Sequence, residues 1–248
     1  MSLWRLEWLR LLRTRRLLAL VVAFVFFGIT SPLLARYRDE LIRNVGGGIS
    51  IVAPPATPAD GITNYLSNSA QIGLLVFALV AAGALAFDAD RETAIFLRTR
   101  VRRARDLVTV KYGVTLLATV AAFDGGALLA WAGSVALIGE LPVGAMIIGL
   151  ALTDLYLAFF GSVVAMVATK SSSVVVTAVT SLAAALLLGV LSVIGAVGEL
   201  LPSHLVGALP DLAAGGDALP YARSAAVTLA ATAVLLVLAV RTSARREI

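Results

Sequence analysis

Six stretches of this chain are each about 20 residues long and mostly apolar, and they constrain the fold more than any other feature. A helix needs about 20 apolar residues to cross about 30 Å of hydrocarbon. The stretches are 17–35, 69–87, 111–138, 143–168, 173–197 and 222–240. Of the 248 residues, 60% are apolar and 14% are charged, against about 25% charged in soluble domains. The sequence therefore predicts an all-α integral membrane protein, with residues 1–248 forming one domain of six transmembrane helices.

The distribution of basic residues predicts the orientation of these helices. With both termini in the cytoplasm, all but four of the 20 lysines and arginines lie on the inner side, the exceptions being Arg36, Arg38, Arg43 and Arg223. This imbalance is the positive-inside pattern of membrane proteins. It accounts for the net charge of +5, and no nucleic-acid-binding module accompanies it, so nucleic acid is not an expected partner.

The first 16 residues have helical character and combine tryptophan with arginine. Trp4, Trp8 and Leu11 form a stripe at helical spacing, as in helices that lie in the membrane–water boundary. We expect an interfacial helix over 1–16 on the inner leaflet. The alternative is a cytoplasmic extension of the first span.

The two longest outer segments differ in composition. Residues 36–68 contain three consecutive glycines and a proline-rich run, which predicts irregular backbone over water. Residues 198–221 contain three prolines but are otherwise apolar. They predict short helices that re-enter the outer face of the membrane, a backbone arrangement that needs shielding by protein or by a water-filled cavity. We interpret 198–221 as a candidate outer gate.

The inner connection 88–106 carries the highest charge density in the chain. Acidic residues come first and five arginines follow, an order that suits the dipole of a helix. Apolar side chains, including Phe96 and Leu97, lie among these charges. Exposed apolar residues beside arginines indicate a docking face for another protein. The alternative is a basic loop that lies on anionic lipid.

The residue inventory does not indicate catalysis by this chain. It has no cysteine and a single histidine, His204. No glycine precedes either lysine in a phosphate-binding loop, so the chain is not expected to bind ATP itself. We expect neither an enzyme nor a bound metal or cofactor.

Two carboxylates fall inside predicted spans. Asp124 and Asp154 lie on neighbouring antiparallel stretches, each about 20 Å or less from one end. A charge near the middle of a bilayer is costly and usually faces a cavity or a partner. The two residues are candidates for a polar spot on a translocation pathway, or for hydrogen-bonded aspartic acids that tie helices or subunits together.

The chain resembles the permease subunits of type-2 ABC exporters. The most specific match is the run from Asp90 to Leu97 (DRETAIFL) with the basic stretch after it, although the glycine that usually precedes the threonine is absent. Tyr65 and the run Gln71-Ile72-Gly73 are also similar to a subset of these permeases. The N-terminal helix, the six spans, the broken segment before the last span and the Arg-rich tail follow the family's architecture.

The resemblance implies a permease in the bacterial plasma membrane that pairs with a second permease subunit, identical or different. Each permease would dock on a separate ABC ATPase subunit, which would hold the ATP and Mg²⁺. Residues 92–105 would form the coupling helix, with 169–173 as a shorter second contact. The coupling residues would be Glu92, Thr93, Phe96, Leu97, Arg98, Arg100, Arg102, Arg103 and Arg105.

A different class of membrane protein remains open on the residues alone. In a proton-coupled secondary transporter or a lipid scramblase, Asp124 and Asp154 would carry protons and no ATPase would be needed. No clear repeat relates the first three spans to the last three, although such repeats are common in secondary transporters.

Overall fold

A computed structural model of the protein describes residues 2–38, 40, 55–85 and 104–245. Within these ranges every regular element is a helix. Six helices are long and apolar enough to cross a membrane, which confirms the predicted all-α, multi-pass class. In order they are Arg16–Arg36, Pro58–Leu85, Leu107–Leu137, Val143–Ala168, Val174–Leu191 and Tyr221–Ala244.

The described helices are numbered here in chain order. They are α1 (Leu3–Arg13), α2 (Arg16–Arg36), α3 (Pro58–Asn68), a π-helical turn (Ser69–Gly73), α4 (Leu74–Leu85), α5 (Ala104–Leu137), α6 (Val143–Ala168), α7 (Val174–Leu191), α8 (Gly195–Gly198), a 3-10 helix (Pro202–Gly207), α9 (Ala208–Ala213) and α10 (Tyr221–Arg245). Glu140-Leu141-Pro142 lies between α5 and α6, and α6 begins at the next residue because proline cannot continue the preceding helix.

Helices α5 and α6 form the centre of the bundle. Helix α5 packs along α2 and also contacts α1, α3, α4, α6 and α10, while α6 contacts α4, α7, α9 and α10. Aromatic pairs fill the interior around them: Phe24 meets Phe123 edge-on at 5.6 Å between ring centroids, and Phe77 meets Phe160 at the same distance.

The second span begins earlier than the sequence analysis predicts. Irregular backbone was expected up to residue 68, but helix starts at Pro58 and continues through the π-helical turn to Leu85. The reason is local: proline at the first helical position has the required φ and loses no hydrogen bond there. The Asp60 carboxylate also accepts a hydrogen bond from the Thr57 backbone N–H at 2.7 Å, completing a capping box. The proline that suggested a loop therefore starts a helix.

Two short helices, the 3-10 helix and α9, occupy the segment 198–221. The fifth span ends at Leu191 instead of residue 197, and the one-turn helix α8 follows it. Leu205, Leu209 and Leu212 are buried, and the 3-10 helix and α9 both pack on α6. At Gly149 of α6 an added Cβ would lie 2.8 Å from the Leu209 Cα, so a glycine is needed for this close approach. The Tyr221 hydroxyl donates a hydrogen bond to Asp211 Oδ2 at 3.1 Å, joining α9 to the start of α10.

Helix α1 faces the bundle with the stripe that the sequence analysis assigned to the membrane boundary. Leu11 is buried, Trp8 packs against the main core, and the Trp4 ring lies against Gly113 of α5. Glu7 occupies the same face and is also buried. The stripe therefore docks α1 on the ends of α2 and α5.

Candidate functional site

The two aspartates predicted to lie inside the membrane occupy the middle of α5 and α6. Asp124 is about 20 Å along α5 from Leu137, and Asp154 is about 17 Å along α6 from Val143. Both side chains are partly exposed. They lie at similar depth because the two helices are antiparallel neighbours joined by a short turn.

The structure brings the two carboxyl groups within electrostatic range of each other, and both within range of the Tyr65 hydroxyl. Oδ1 of Asp124 and Oδ1 of Asp154 are buried and have no hydrogen-bond partner in the described part of the chain. Buried polar atoms are usually paired. In each carboxyl group, Oδ1 can therefore take up a proton, or accept a hydrogen bond from a water molecule or from a polar group of a ligand.

Tyr65 is fixed rigidly beside this pair. Its side chain is fully buried, and its hydroxyl donates a 2.6 Å hydrogen bond to the Phe123 carbonyl oxygen, next to Asp124. The Tyr65 and Phe123 rings also pack with centroids 5.5 Å apart. Because the bond joins α3 to the residue preceding Asp124, it holds this part of α5 in place.

Two glycines allow the helices around this site to touch through their backbones. A Cβ on Gly28 of α2 would collide with the Gly126 carbonyl oxygen of α5. A Cβ on Gly126 would come 2.5 Å from the Phe24 carbonyl oxygen and 2.6 Å from the Tyr65 hydroxyl oxygen. Small residues commonly permit such close approach in membrane helices. The sequence analysis did not identify Gly28, and only their pairing in space distinguishes these glycines from others in the chain.

A groove of about 520 Å³ opens between the π-helical turn, α6, α7 and the 3-10 helix. Its walls are largely apolar, with Tyr156 on α6 and the amide of Gln71 on the π-helical turn. A π-helical turn inside a helix often marks a functional site. The walls of this groove suit an amphipathic molecule. A signal for the groove was present in the sequence, since Gln71 is a polar residue within an apolar span.

The predicted ATPase-coupling residues are not brought together with this site in the described chain. Glu92, Thr93, Phe96, Leu97, Arg98, Arg100, Arg102 and Arg103 lie outside the described residues. For Arg105 only the backbone, at the start of α5, is described.

The second predicted contact, 169–173, forms the turn between α6 and α7. Thr169 is buried, and its hydroxyl donates to the Met166 carbonyl oxygen at 2.7 Å. Lys170, Ser172 and Ser173 are exposed, and the Ser173 hydroxyl accepts a hydrogen bond from the Val176 N–H at the start of α7. Thr169 thus closes a helix end, while the residues after it form the accessible part of the turn.

Comparison with known proteins finds no match to this chain among family models, curated proteins or solved structures. In the described ranges, no three acidic or histidine side chains are grouped so that they could hold a metal ion.

Proposed function

We propose that this chain is the membrane-spanning permease subunit of an ATP-driven exporter of the type-2 ABC kind, in a bacterial plasma membrane. Hydrolysis of ATP, with its Mg²⁺, takes place in a separate ATPase subunit. The proposal is supported by the six apolar helices, by α1 docked across the ends of α2 and α5, and by the short helices that precede α10. These elements occur in the order that the resemblance implies.

The observation that carries the proposal is the continuity of α5. It is a single helix of 34 residues, about 51 Å long at 1.5 Å per residue. It begins at the end of the proposed coupling segment, passes Asp124 at mid-depth and ends beside the outer turn. A displacement of the coupling segment by the ATPase is therefore transmitted along one rigid element to the carboxylate pair.

A second permease subunit is part of this proposal, and α7 is its proposed contact surface. Only 17% of the most apolar 18-residue stretch of α7 is buried, and large side chains such as Val175, Val179 and Val190 are exposed. In a chain without native cysteine, Val179→Cys on α7 should form a disulfide-linked dimer in membranes if two copies pair there. Val234→Cys, an exposed valine on α10, probes the rival surface, because only 11% of the most apolar stretch of α10 is buried. Cross-linking in Val234→Cys that equals or exceeds that in Val179→Cys would contradict the α7 contact.

The coupling assignment is tested by co-purification in mild detergent. An ATPase subunit should accompany the wild-type chain, and the double variant Phe96→Asp, Leu97→Asp should release it, because buried aspartates would face an apolar docking surface. Leu219→Asp alters a leucine that is 75% exposed in the outer segment and should retain the ATPase. Retention by the double variant would contradict the coupling assignment.

The second candidate is a proton-coupled transporter or a lipid scramblase, and the unpartnered Oδ1 atoms of Asp124 and Asp154 favour it. The test uses sealed vesicles that contain the chain alone, without nucleotide. Proton flux is followed with a trapped pH-sensitive dye, and lipid exchange with a fluorescently labelled phospholipid. Flux that disappears in Asp124→Asn and Asp154→Asn, but persists in the exposed outer control Asp217→Asn, would establish this candidate. Absence of flux in vesicles that contain the wild-type chain alone would favour the permease.

A further inference from the structure

Four charged side chains meet where α1, α2 and α5 come together at one end of the bundle. Glu7 and Arg10 belong to α1, Arg16 begins α2, and Lys111 lies in the first third of α5. Glu7 and Lys111 are each only 3% exposed. Arg16 interacts electrostatically with Glu7 and Arg10, and Lys111 interacts with the other three.

A glycine on α4 positions the Arg16 guanidinium. An added Cβ at Gly83 would lie 3.0 Å from Nη2 and 3.1 Å from Cζ of Arg16. Any larger residue would push the guanidinium away from α4, so the glycine sets its position. The Arg16 side chain makes no hydrogen bond, and no ion pair within 4 Å, to any residue that the structure describes. Its guanidinium N–H donors are therefore available to a ligand.

Among the described residues of this cluster, the basic side chains outnumber the acidic ones. Even with Lys111 set aside, Arg10 and Arg16 share one carboxylate, that of Glu7. The nearest approach is 4.0 Å, between Arg10 Nη1 and Glu7 Oε1, which is too long for a hydrogen bond. A partly buried excess of guanidinium groups favours an anion, and phosphate oxygens match the planar fork of arginine.

The cluster lies at the level where lipid headgroups meet the apolar spans. The first span begins at Arg16 itself, and Arg10 precedes it by six residues on α1. Leu6 and Leu12 of α1 are exposed beside the cluster and can contact acyl chains, as amphipathic helices do.

We propose that Arg10 and Arg16 bind the phosphate of an anionic phospholipid headgroup in the leaflet next to α1. Basic pockets between membrane helices are known to hold such headgroups. The bound lipid would fasten α1 to α2 and α4. This site is distinct from the proposed transport function, and it does not depend on an ATPase.

The test measures lipid binding to the purified full-length chain in detergent, by native mass spectrometry and by thermal unfolding. Phosphatidylglycerol is compared with phosphatidylcholine of the same acyl chains, and inorganic phosphate forms a third arm. Phosphatidylglycerol should remain bound and raise the unfolding temperature, whereas the other two should not. Each basic group is expected to contribute about fivefold in affinity.

Three variants test the residues. Arg16→Gln should weaken phosphatidylglycerol binding about fivefold, and Arg10→Gln with Arg16→Gln about 30-fold. Gly83→Leu should also weaken it by displacing the guanidinium, although the charge is unchanged. Arg13→Gln is the matched control, since Arg13 is exposed on the same helix and should bind as the wild type does.

Three results would overturn the proposal. One is equal binding of phosphatidylcholine and phosphatidylglycerol by the wild-type chain, a comparison that needs no variant to fold. Another is a loss in Arg13→Gln as large as that in Arg16→Gln, which would indicate a general effect of surface charge. The third is equal protection by inorganic phosphate, which would make the site one for a free anion.

Discussion

Two parts of the bundle are both apolar enough to cross a membrane, but they differ in how much of each is buried, and the more apolar part is the less buried. In the spans formed by α3–α4 and by α5, half of the most apolar 18-residue stretch is buried. The corresponding share is 17% in α7 and 11% in α10. In the first part, helices α2, α3 and α5 touch through glycines and through the Tyr65 hydrogen bond. In α7, a Cβ added at Gly189 would meet nothing within 4 Å.

The difference teaches that apolar character places a helix in the membrane but does not pack it against another helix. Lipid tails are as apolar as leucine, so hydrophobicity gives little preference between lipid and a neighbouring helix. What holds α2, α3 and α5 together is close backbone approach, aromatic packing and a hydrogen bond. We call these three helices the packed block, and the following substitutions compare it with α7 or with exposed positions.

The largest effect is expected for an aromatic ring in the packed block. Phe123→Ala removes a side chain that is 1% exposed and packs on both Phe24 and Tyr65. It should lower the free energy of unfolding by about 3–5 kcal/mol. Leu229→Ala, at a position 59% exposed on α10, should change it by less than about 0.5 kcal/mol. Thermal unfolding in detergent measures both, and a loss in Leu229→Ala as large as that in Phe123→Ala would contradict the comparison.

Adjacent glycines on α5 offer the next comparison. Gly126→Ala places a methyl group against the Phe24 backbone, and the resulting displacement of α2 should cost about 1–3 kcal/mol. Gly125→Ala meets nothing within 4 Å and should leave stability unchanged or raise it by up to about 1 kcal/mol through helix propensity. Equal unfolding temperatures for the two variants would contradict the close contact between α2 and α5.

The Tyr65 hydroxyl should contribute less to the free energy of unfolding than the ring of Phe123 does. Tyr65→Phe removes the 2.6 Å hydrogen bond to the Phe123 carbonyl oxygen and should cost about 1 kcal/mol. Tyr156→Phe is the control, because Tyr156 is buried to a similar degree but its hydroxyl makes no hydrogen bond to a described residue. If the unfolding temperature fell equally in both, the tyrosine bond would not stabilise the packed block.

The smallest effects are expected at the helix starts. Asp60→Ala removes the carboxylate that accepts the 2.7 Å hydrogen bond at the start of α3 and should cost about 1 kcal/mol. Ser173→Ala removes a 3.4 Å cap at the start of α7 and should cost less than about 0.5 kcal/mol. Urea or thermal unfolding distinguishes the two, and a reversed order would contradict the view that α3 belongs to the more tightly held part.

Several features of the candidate site could be predicted from the sequence, and others could not. The positions of Asp124 and Asp154 within long apolar runs are enough to place them at mid-depth, because the rise per residue is fixed. Their proximity to Tyr65 depends on how α3 packs against α5, which no local pattern specifies. Glu7 could have been identified, since it lies three residues after Trp4 and four before Leu11 on the same helical face.

The sequence alone determined the class of this protein and the number of its long apolar helices, because hydrophobic length is a property of each segment by itself. Tertiary structure decided which faces meet protein and where glycine brings two backbones together. These features depend on neighbours that are distant in the chain, whereas the helix start at Pro58 follows from the proline itself and from the Thr57–Asp60 capping box beside it. In a membrane the hydrophobic effect does not distinguish a protein neighbour from lipid, so packing and polar contacts make that choice.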